Sequence, residues 1–108
     1  MIAKTVIPRA QAERDVNDAL DYYLREASPA VALGFIETLE NAYRVISEQP
    51  GVGSSRYAYE LAIPGLRSWT LRGYPYVVFY AVRDDHIDVW RVLNGASDIP
   101  VWMAGEER

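Results

Sequence analysis

Apolar positions recur along the chain with two different periods, and the change between them divides it into a helical first half and a stranded second half. At the start, Thr5-Val6-Ile7 is β-branched throughout and is closed by Pro8, so Lys4 to Ile7 is expected to form a strand. From Arg9 to Glu26, Ala12, Val16, Ala19, Leu20 and Tyr23, with Ala27 just beyond, follow the spacing of one helical face. Glu13, Asp15, Asp18 and Asp21 read as the opposite, solvated face, where Arg14/Asp18 and Asp21/Arg25 sit four apart and can pair. Ser28-Pro29 then has the form of an N-cap followed by proline at the first helical position. The helix it opens runs through Leu33, Ile36, Leu39, Tyr43 and Ile46 and must end before Pro50-Gly51, which makes a hairpin with a very short connection.

Between Gln49 and Gly65 the helical period is lost, and Pro50-Gly51-Val52-Gly53-Ser54-Ser55 and Ile63-Pro64-Gly65 predict an ordered loop or irregular edge. Three strand-like stretches follow: Arg67 to Leu71, Tyr76 to Val82 and Ile87 to Leu93. Gly73 and Pro75 separate the first two, Asp84-Asp85 the last two, and these hairpin spacings imply an antiparallel meander. Tyr76 to Val82 is apolar on both faces, as a central strand covered on both sides would be. The expected fold class is therefore α+β: a two-helix antiparallel hairpin packed on one face of a mostly antiparallel sheet of about four strands, joined by the first strand.

Composition narrows the function classes. With 108 residues, 50% of them hydrophobic and 24% charged, the chain is expected to form one domain over 1–108. Fifteen acidic residues against eleven basic ones, with Lys4 the sole lysine, argue against gripping a polyanion with the whole surface. The absence of cysteine excludes disulfides and thiolate chemistry and fits a reducing cytoplasm. No apolar run approaches the ~20 residues of a membrane span, and the first residues do not have the pattern of a secretion signal.

Candidate chemistry is sparse. His86 beside Asp84-Asp85 reads as a turn, and the row Asp15, Asp18, Asp21, interleaved with Arg14 and Arg25, as a solvated helix face. Gly51 and Gly53 follow a helix and lack the lysine of a phosphate-binding loop. The arginines carry more. From Gly51 to Arg83 the chain holds Arg56, Arg67, Arg72 and Arg83 against Glu60 alone. Strand alternation places Arg67, Trp69 and Leu71 on one face of their strand and Ser68, Thr70 and Arg72 on the other. Arginine and aromatic residues are common interface anchors, so Arg56, Arg67, Arg72, Tyr57, Trp69 and Trp90 are candidates for a recognition patch; the alternative is that the tryptophans are core and the arginines solubilising. Trp102 joins the candidates because the tail Asp98-Ile99-Pro100-Val101-Trp102-Met103 is apolar and either packs back or is a contact segment.

The order strand, two helices, glycine-rich loop and three-stranded meander resembles the RelE/ParE toxin superfamily of bacterial toxin–antitoxin modules, and the text is closest to its ParE branch, the plasmid stabilisation toxins. The resemblance is carried by Ala19-Leu20-Asp21-Tyr22-Tyr23, Phe35-Ile36-Glu37 with Leu39-Glu40, and Gln49-Pro50-Gly51-Val52-Gly53-Ser54. It continues through Ile63-Pro64-Gly65-Leu66-Arg67-Ser68-Trp69, Tyr74-Pro75-Tyr76-Val77-Val78-Phe79-Tyr80, Arg91-Val92-Leu93-Asn94-Gly95-Ala96 and Asp98-Ile99-Pro100. Where ParE-like sequences usually read His-Gly-Ala-Arg-Asp, this chain has Asn94 and Ser97 at the His and Arg places. The resemblance implies a toxin that needs no cofactor, is neutralised by a ParD-like antitoxin whose C-terminal segment fills apolar grooves, and poisons DNA gyrase without chemistry of its own. The other branch, ribosome-dependent mRNA endoribonucleases of the RelE type, needs a base for the 2′-OH and an acid for the leaving oxygen. Beyond Lys4 there is no lysine here, no histidine in the expected last strand and no tyrosine after Tyr80. A relative that has lost toxicity is the remaining alternative, with Asn94 and Ser97 its only hint.

Overall fold

A computed structural model describes residues 3–106. Strand β1 (Thr5–Pro8) leads into helices α1 (Ala10–Glu26) and α2 (Pro29–Glu48), a 3₁₀ turn (Pro50–Val52) and the short helix α3 (Arg56–Glu60). Strands β2 (Arg67–Thr70), β3 (Tyr76–Val82) and β4 (His86–Asn94) and a short helix α4 (Ile99–Met103) complete it. The sheet order is β1-β4-β3-β2, antiparallel except for the parallel pairing of β1 with β4, and the fold class is the α+β arrangement the sequence implies.

Local chemistry sets the hairpin. The Arg9 N–H donates to Val89 O at 2.8 Å, continuing the β1–β4 ladder one residue before α1 begins. Ser28 Oγ accepts the Val31 N–H at 3.2 Å and Pro29 occupies the first turn of α2, as expected of an N-cap. The far end of α2 is tied to the residue just before β1: Lys4 N donates to Ser47 O and Ser47 Oγ to Lys4 O. Gly34 in α2 faces the Tyr74 hydroxyl, which donates to Val31 O at 2.8 Å; any Cβ at position 34 would collide with it.

The sheet buries both faces. Ala12, Ala19, Phe35, Leu39 and Ile46 of the helices pack with Leu71, Val78, Tyr80, Ile87, Val89 and Val92 on one side. On the other, Leu66, Val77, Phe79, Ala81, Trp90 and Leu93 are covered by Ile99 and Met103 of α4 and by Tyr57, Ala58, Leu61 and Ile63. The stretch expected as loop therefore holds a cover for this second face, a 3₁₀ turn and a five-residue helix too short to show a period. Ala62, at φ 54°, closes α3 in the left-handed conformation, with Ala62 N–H bonded to Tyr59 O and Ile63 N–H to Ala58 O.

β3 and β4 slip register between Phe79, opposite Arg91, and Tyr80, opposite Val89. Trp90 is the extra residue of this bulge, so it joins Phe79 and Leu93 on the second face while Val89 and Val92 stay on the helix face. Asp15 was expected on the solvated side of α1, and the structure corrects this. Its carboxylate accepts Arg91 Nε and Nη2, both at 2.8 Å, and the Val92 N–H at 3.0 Å, with both side chains of the pair about 6–7% exposed. The expected Arg14/Asp18 and Asp21/Arg25 pairs do not form; Arg14 donates to Gln11 Oε1 instead, at 2.7 Å through Nη2.

Candidate functional site

β2 is the outermost strand on its side of the sheet, and its outer edge is paired only through the Ser54–Ser68 bridge, with Ser54 N–H to Ser68 O at 2.8 Å and Ser68 N–H to Ser54 O at 3.0 Å. In an antiparallel strand alternate residues turn both backbone groups the same way, so Thr70 presents its N–H and C=O outward beside this bridge. Along the edge runs a groove of about 430 Å³ lined by Val52, Ser54, Arg56, Tyr57, Trp69 and Thr70. A second groove of about 400 Å³ lies between α3 and the 64–67 segment, with Ala58, Tyr59, Leu66 and Arg67 in its walls and Tyr59 84% exposed.

The segment before Ser54 is held by two clamps. Tyr80 Oη accepts the Gly53 N–H at 2.9 Å and donates to Pro50 O at 2.8 Å. Arg67 Nη1 donates to Gly53 O at 2.8 Å and Gly51 O at 3.2 Å. Gly53 is required there by proximity: a Cβ would lie 2.5 Å from Tyr80 Oη and 3.0 Å from Ser68 O. Burial comes first in pushing the Tyr80 phenol above its ordinary value, only partly offset by its hydrogen bond with Gly53 and the nearby Arg67 charge.

The recognition candidates separate on this scaffold. Arg56, Tyr57 and Trp69 meet in the edge groove, where the Arg56 guanidinium lies 4.9 Å from the Tyr57 ring centroid and pairs with Glu60 at 2.9 Å. Tyr57 also packs edge-on against Phe79 at 5.1 Å, and Trp69 is half-buried against the helix-face core. Arg67 is the loop clamp, whereas the sequence pattern suggested a free surface cation. Arg83 is committed to Asp88 at 3.0 Å, so among the four arginines of the 51–83 segment Arg72 alone is exposed without a partner among the described residues. Trp90 is core, the second of the two readings the sequence left open: it is 1% exposed, donates Nε1–H to Asp88 Oδ2 at 3.0 Å and lies under the Arg9 guanidinium at 4.4 Å. Trp102 is half exposed on α4, while its neighbours Ile99 and Met103 anchor that helix in the core. The tail thus packs back on the domain through Ile99 and Met103 and leaves Val101 and Trp102 exposed.

His86, the first residue of β4, sets Nδ1 2.7 Å from Oδ1 of Asp85 in the exposed turn before it, and this hydrogen bond is the main cause holding the Asp85 carboxyl below its usual range. Among the described residues no three His, Cys, Asp or Glu side chains converge to hold a metal, and no helix is long and apolar enough to cross a membrane. Asn94 and Ser97 line a separate cleft of about 180 Å³ between α1 and α4.

The family described as ParE toxin of type II toxin-antitoxin system, parDE, matches residues 6–99. The chain belongs to the ParE toxin family. It is a toxin of the type II toxin–antitoxin class by that membership, as its resemblance implied. No curated protein matches it. Among solved structures, a chain of the chromosomal ParDE TA system from P. aeruginosa shares its fold with a TM-score of 0.72 at 19% identity, over 85% of this chain and 96% of that one. The match begins at the second residue of β1 and ends at the first residue of α4, so it takes in nearly all of the sheet, the hairpin and the α3 grooves of this ParE-family toxin.

Proposed function

We propose that this ParE-family toxin acts in the cytoplasm by binding DNA gyrase and stalling its cleaved intermediate, without chemistry of its own, and that a ParD-like antitoxin neutralises it by occupying the β2 edge and its two grooves. The observation that carries the antitoxin reading is that edge: unpaired Thr70 backbone groups, flanked by grooves lined with Tyr57, Tyr59 and Trp69, suit an extended or helical segment laid across them. Arg56 in the groove and the exposed Arg72, two residues beyond Thr70, favour an acidic flank on that segment. In favour of action by binding, Arg56 and Arg67 beside the edge are committed to Glu60 and to carbonyls, and among the described residues no histidine or carboxylate lines either edge groove to serve as a base.

The test pairs two assays. Co-expression with a small ribbon-helix-helix protein encoded immediately upstream should yield a stable complex, weakened by Arg72→Glu. Purified toxin should convert supercoiled plasmid to linear form only when gyrase and ATP are present. Cleavage of mRNA within codons in ribosome-containing extracts, with plasmid topology unaffected, would replace this reading with the endoribonuclease one.

A further inference from the structure

A second surface, sharing no side chain with the β2 grooves, lies where α1 meets α4. Trp102 and Tyr22 stand at its rim, 51% and 49% exposed, over a floor that includes Tyr76, with Asn94 and Ser97 on the strand side and Asp18 on the helix side. Its volume, about 180 Å³, is below the ~300–1,000 Å³ of small-ligand pockets and suits one long side chain.

The two aromatic walls are held in place. Arg91, locked by the buried Asp15 pair, donates Nη1–H to Trp102 O at 2.6 Å and sets its guanidinium 5.7 Å from the Trp102 ring. The Tyr22 ring abuts Tyr23 at 5.4 Å, and Tyr23 is itself packed edge-on against Tyr74 at the same distance. Exposed tryptophan and tyrosine fixed by their neighbours are the commonest anchors of protein interfaces, because little rotamer freedom is left to lose on binding. The charge of the cleft is one-sided. Its nearest cation, Arg91, is occupied by Asp15 and the Trp102 carbonyl, whereas the exposed Asp18 carboxylate has no ion pair or hydrogen bond among the described residues.

We infer that the Tyr22–Trp102 cleft is a docking pocket for one cationic side chain, arginine or lysine, carried next to an apolar residue on a partner protein. The cation lies over the indole and phenol faces and pairs with Asp18, while the neighbouring apolar residue covers Val101, which is 65% exposed beside Trp102. Which target the toxin inhibits does not enter, so failure of the gyrase reading leaves this cleft untouched.

The three tryptophans make the test direct. In the ¹⁵N-labelled full chain, the indole N–H signals of Trp69, Trp90 and Trp102 are followed while acetyl-leucyl-arginyl-leucinamide is added, with the glutamyl analogue as the charge control. The Trp102 signal should move saturably with the arginyl peptide and at least tenfold more weakly with the glutamyl one, while the buried Trp90 signal stays in place and reports an intact fold. Asp18→Arg should abolish the response by reversing the charge. Ser97→Arg should do so independently by lodging its own guanidinium in the cleft. Equal response to both peptides, no response at all, or a response that survives Asp18→Arg would overturn the assignment.

Discussion

Asp15→Asn changes almost no volume, yet it is expected to cost about 3–5 kcal/mol, the usual effect of leaving one member of a buried ion pair uncompensated. The structure explains why the figure belongs at the full value. Asp15 accepts both prongs of the Arg91 guanidinium at 2.8 Å and the Val92 N–H at 3.0 Å, and each side chain of the pair is about 6–7% exposed. An asparagine can still accept from Val92, but it turns an amide N–H₂ toward a guanidinium that has only donors. Arg91 retains its bond to Trp102 O, so the loss stays below the sum of the broken bonds. For a chain whose whole stability is ~5–15 kcal/mol, such a loss is roughly a fifth of the total or more. Urea unfolding of the purified chain, followed by circular dichroism, should show the midpoint falling by roughly 2–3 M at a slope of ~1.5 kcal/mol/M. Asp18→Asn, one turn on and exposed, should change stability by less than ~0.5 kcal/mol. Asp15→Asn combined with Arg91→Met removes both charges and should recover at least ~2 kcal/mol relative to the sum of the single changes. A loss below ~1 kcal/mol for Asp15→Asn, or strict additivity in the double variant, would refute the buried-pair reasoning.

Tyr43 Oη is buried with no hydrogen-bond partner among the described residues, and burial, with smaller contributions from Glu13 and Asp15, pushes its phenol up to about 12. Tyr43→Phe should therefore stabilise by about 1 kcal/mol, a Tm gain of roughly 4 °C by calorimetry, and a lower Tm would mean the hydroxyl is satisfied. Gly53→Ala should lose about 2–3 kcal/mol, because the new methyl meets the fully buried Tyr80 ring and the Ser68 carbonyl; an unchanged urea midpoint would show that the clamp can yield. Burial alone would raise the Asp88 carboxyl, but hydrogen bonds from Arg9, Arg83 and Trp90 outweigh it and hold it below the usual carboxylate range. Its contribution to stability is then complete above the unfolded value of ~3.9 and is lost as pH falls through the lower folded one. Asp88→Asn should accordingly flatten the fall in stability between pH 4 and pH 3, and equal slopes in the two proteins would exclude Asp88 as its source.

The hairpin and the meander were legible because each element is long enough to repeat its period: α1 and α2 lie within a residue or two of their expected limits, and β3 coincides with Tyr76 to Val82. The helices α3 and α4 were not, since five residues make barely more than one turn. Asp15 was misplaced by its charge. Its position carried the signal, because Ala12, Asp15 and Ala19 stand at i, i+3 and i+7, the spacing of the buried face, and a lone Arg91 inside an apolar strand was the partner to look for. Trp90 could not be assigned to a face by alternation, because the bulge at that residue reverses the parity of β4. The arginine count between Gly51 and Arg83 was correct as arithmetic and misleading as a surface: Arg67 serves carbonyls and Arg83 serves Asp88, which no local pattern encodes.

Both candidate surfaces owe their shape to hydrogen-bonded polar side chains that clamp the backbone behind them. Tyr80 and Arg67 fix the 50–53 segment and so the Ser54 bridge that ends where the open Thr70 edge begins; Asp15 and Arg91 fix the bulge of β4 and, through the Trp102 carbonyl, the exposed indole of α4. Loops and short helices at a surface ordinarily sample several conformations, and ordering them on binding costs affinity. Here that ordering is completed during folding, by hydrogen bonds whose alternative is an unsatisfied group in the core. A change in either clamp should therefore weaken partner binding at a distance and lower stability in the same variant, whereas a change at Arg72 or Asp18, which hold nothing else in place, should alter binding alone. That difference between coupled and uncoupled loss separates residues that build the surfaces from those that meet the partner.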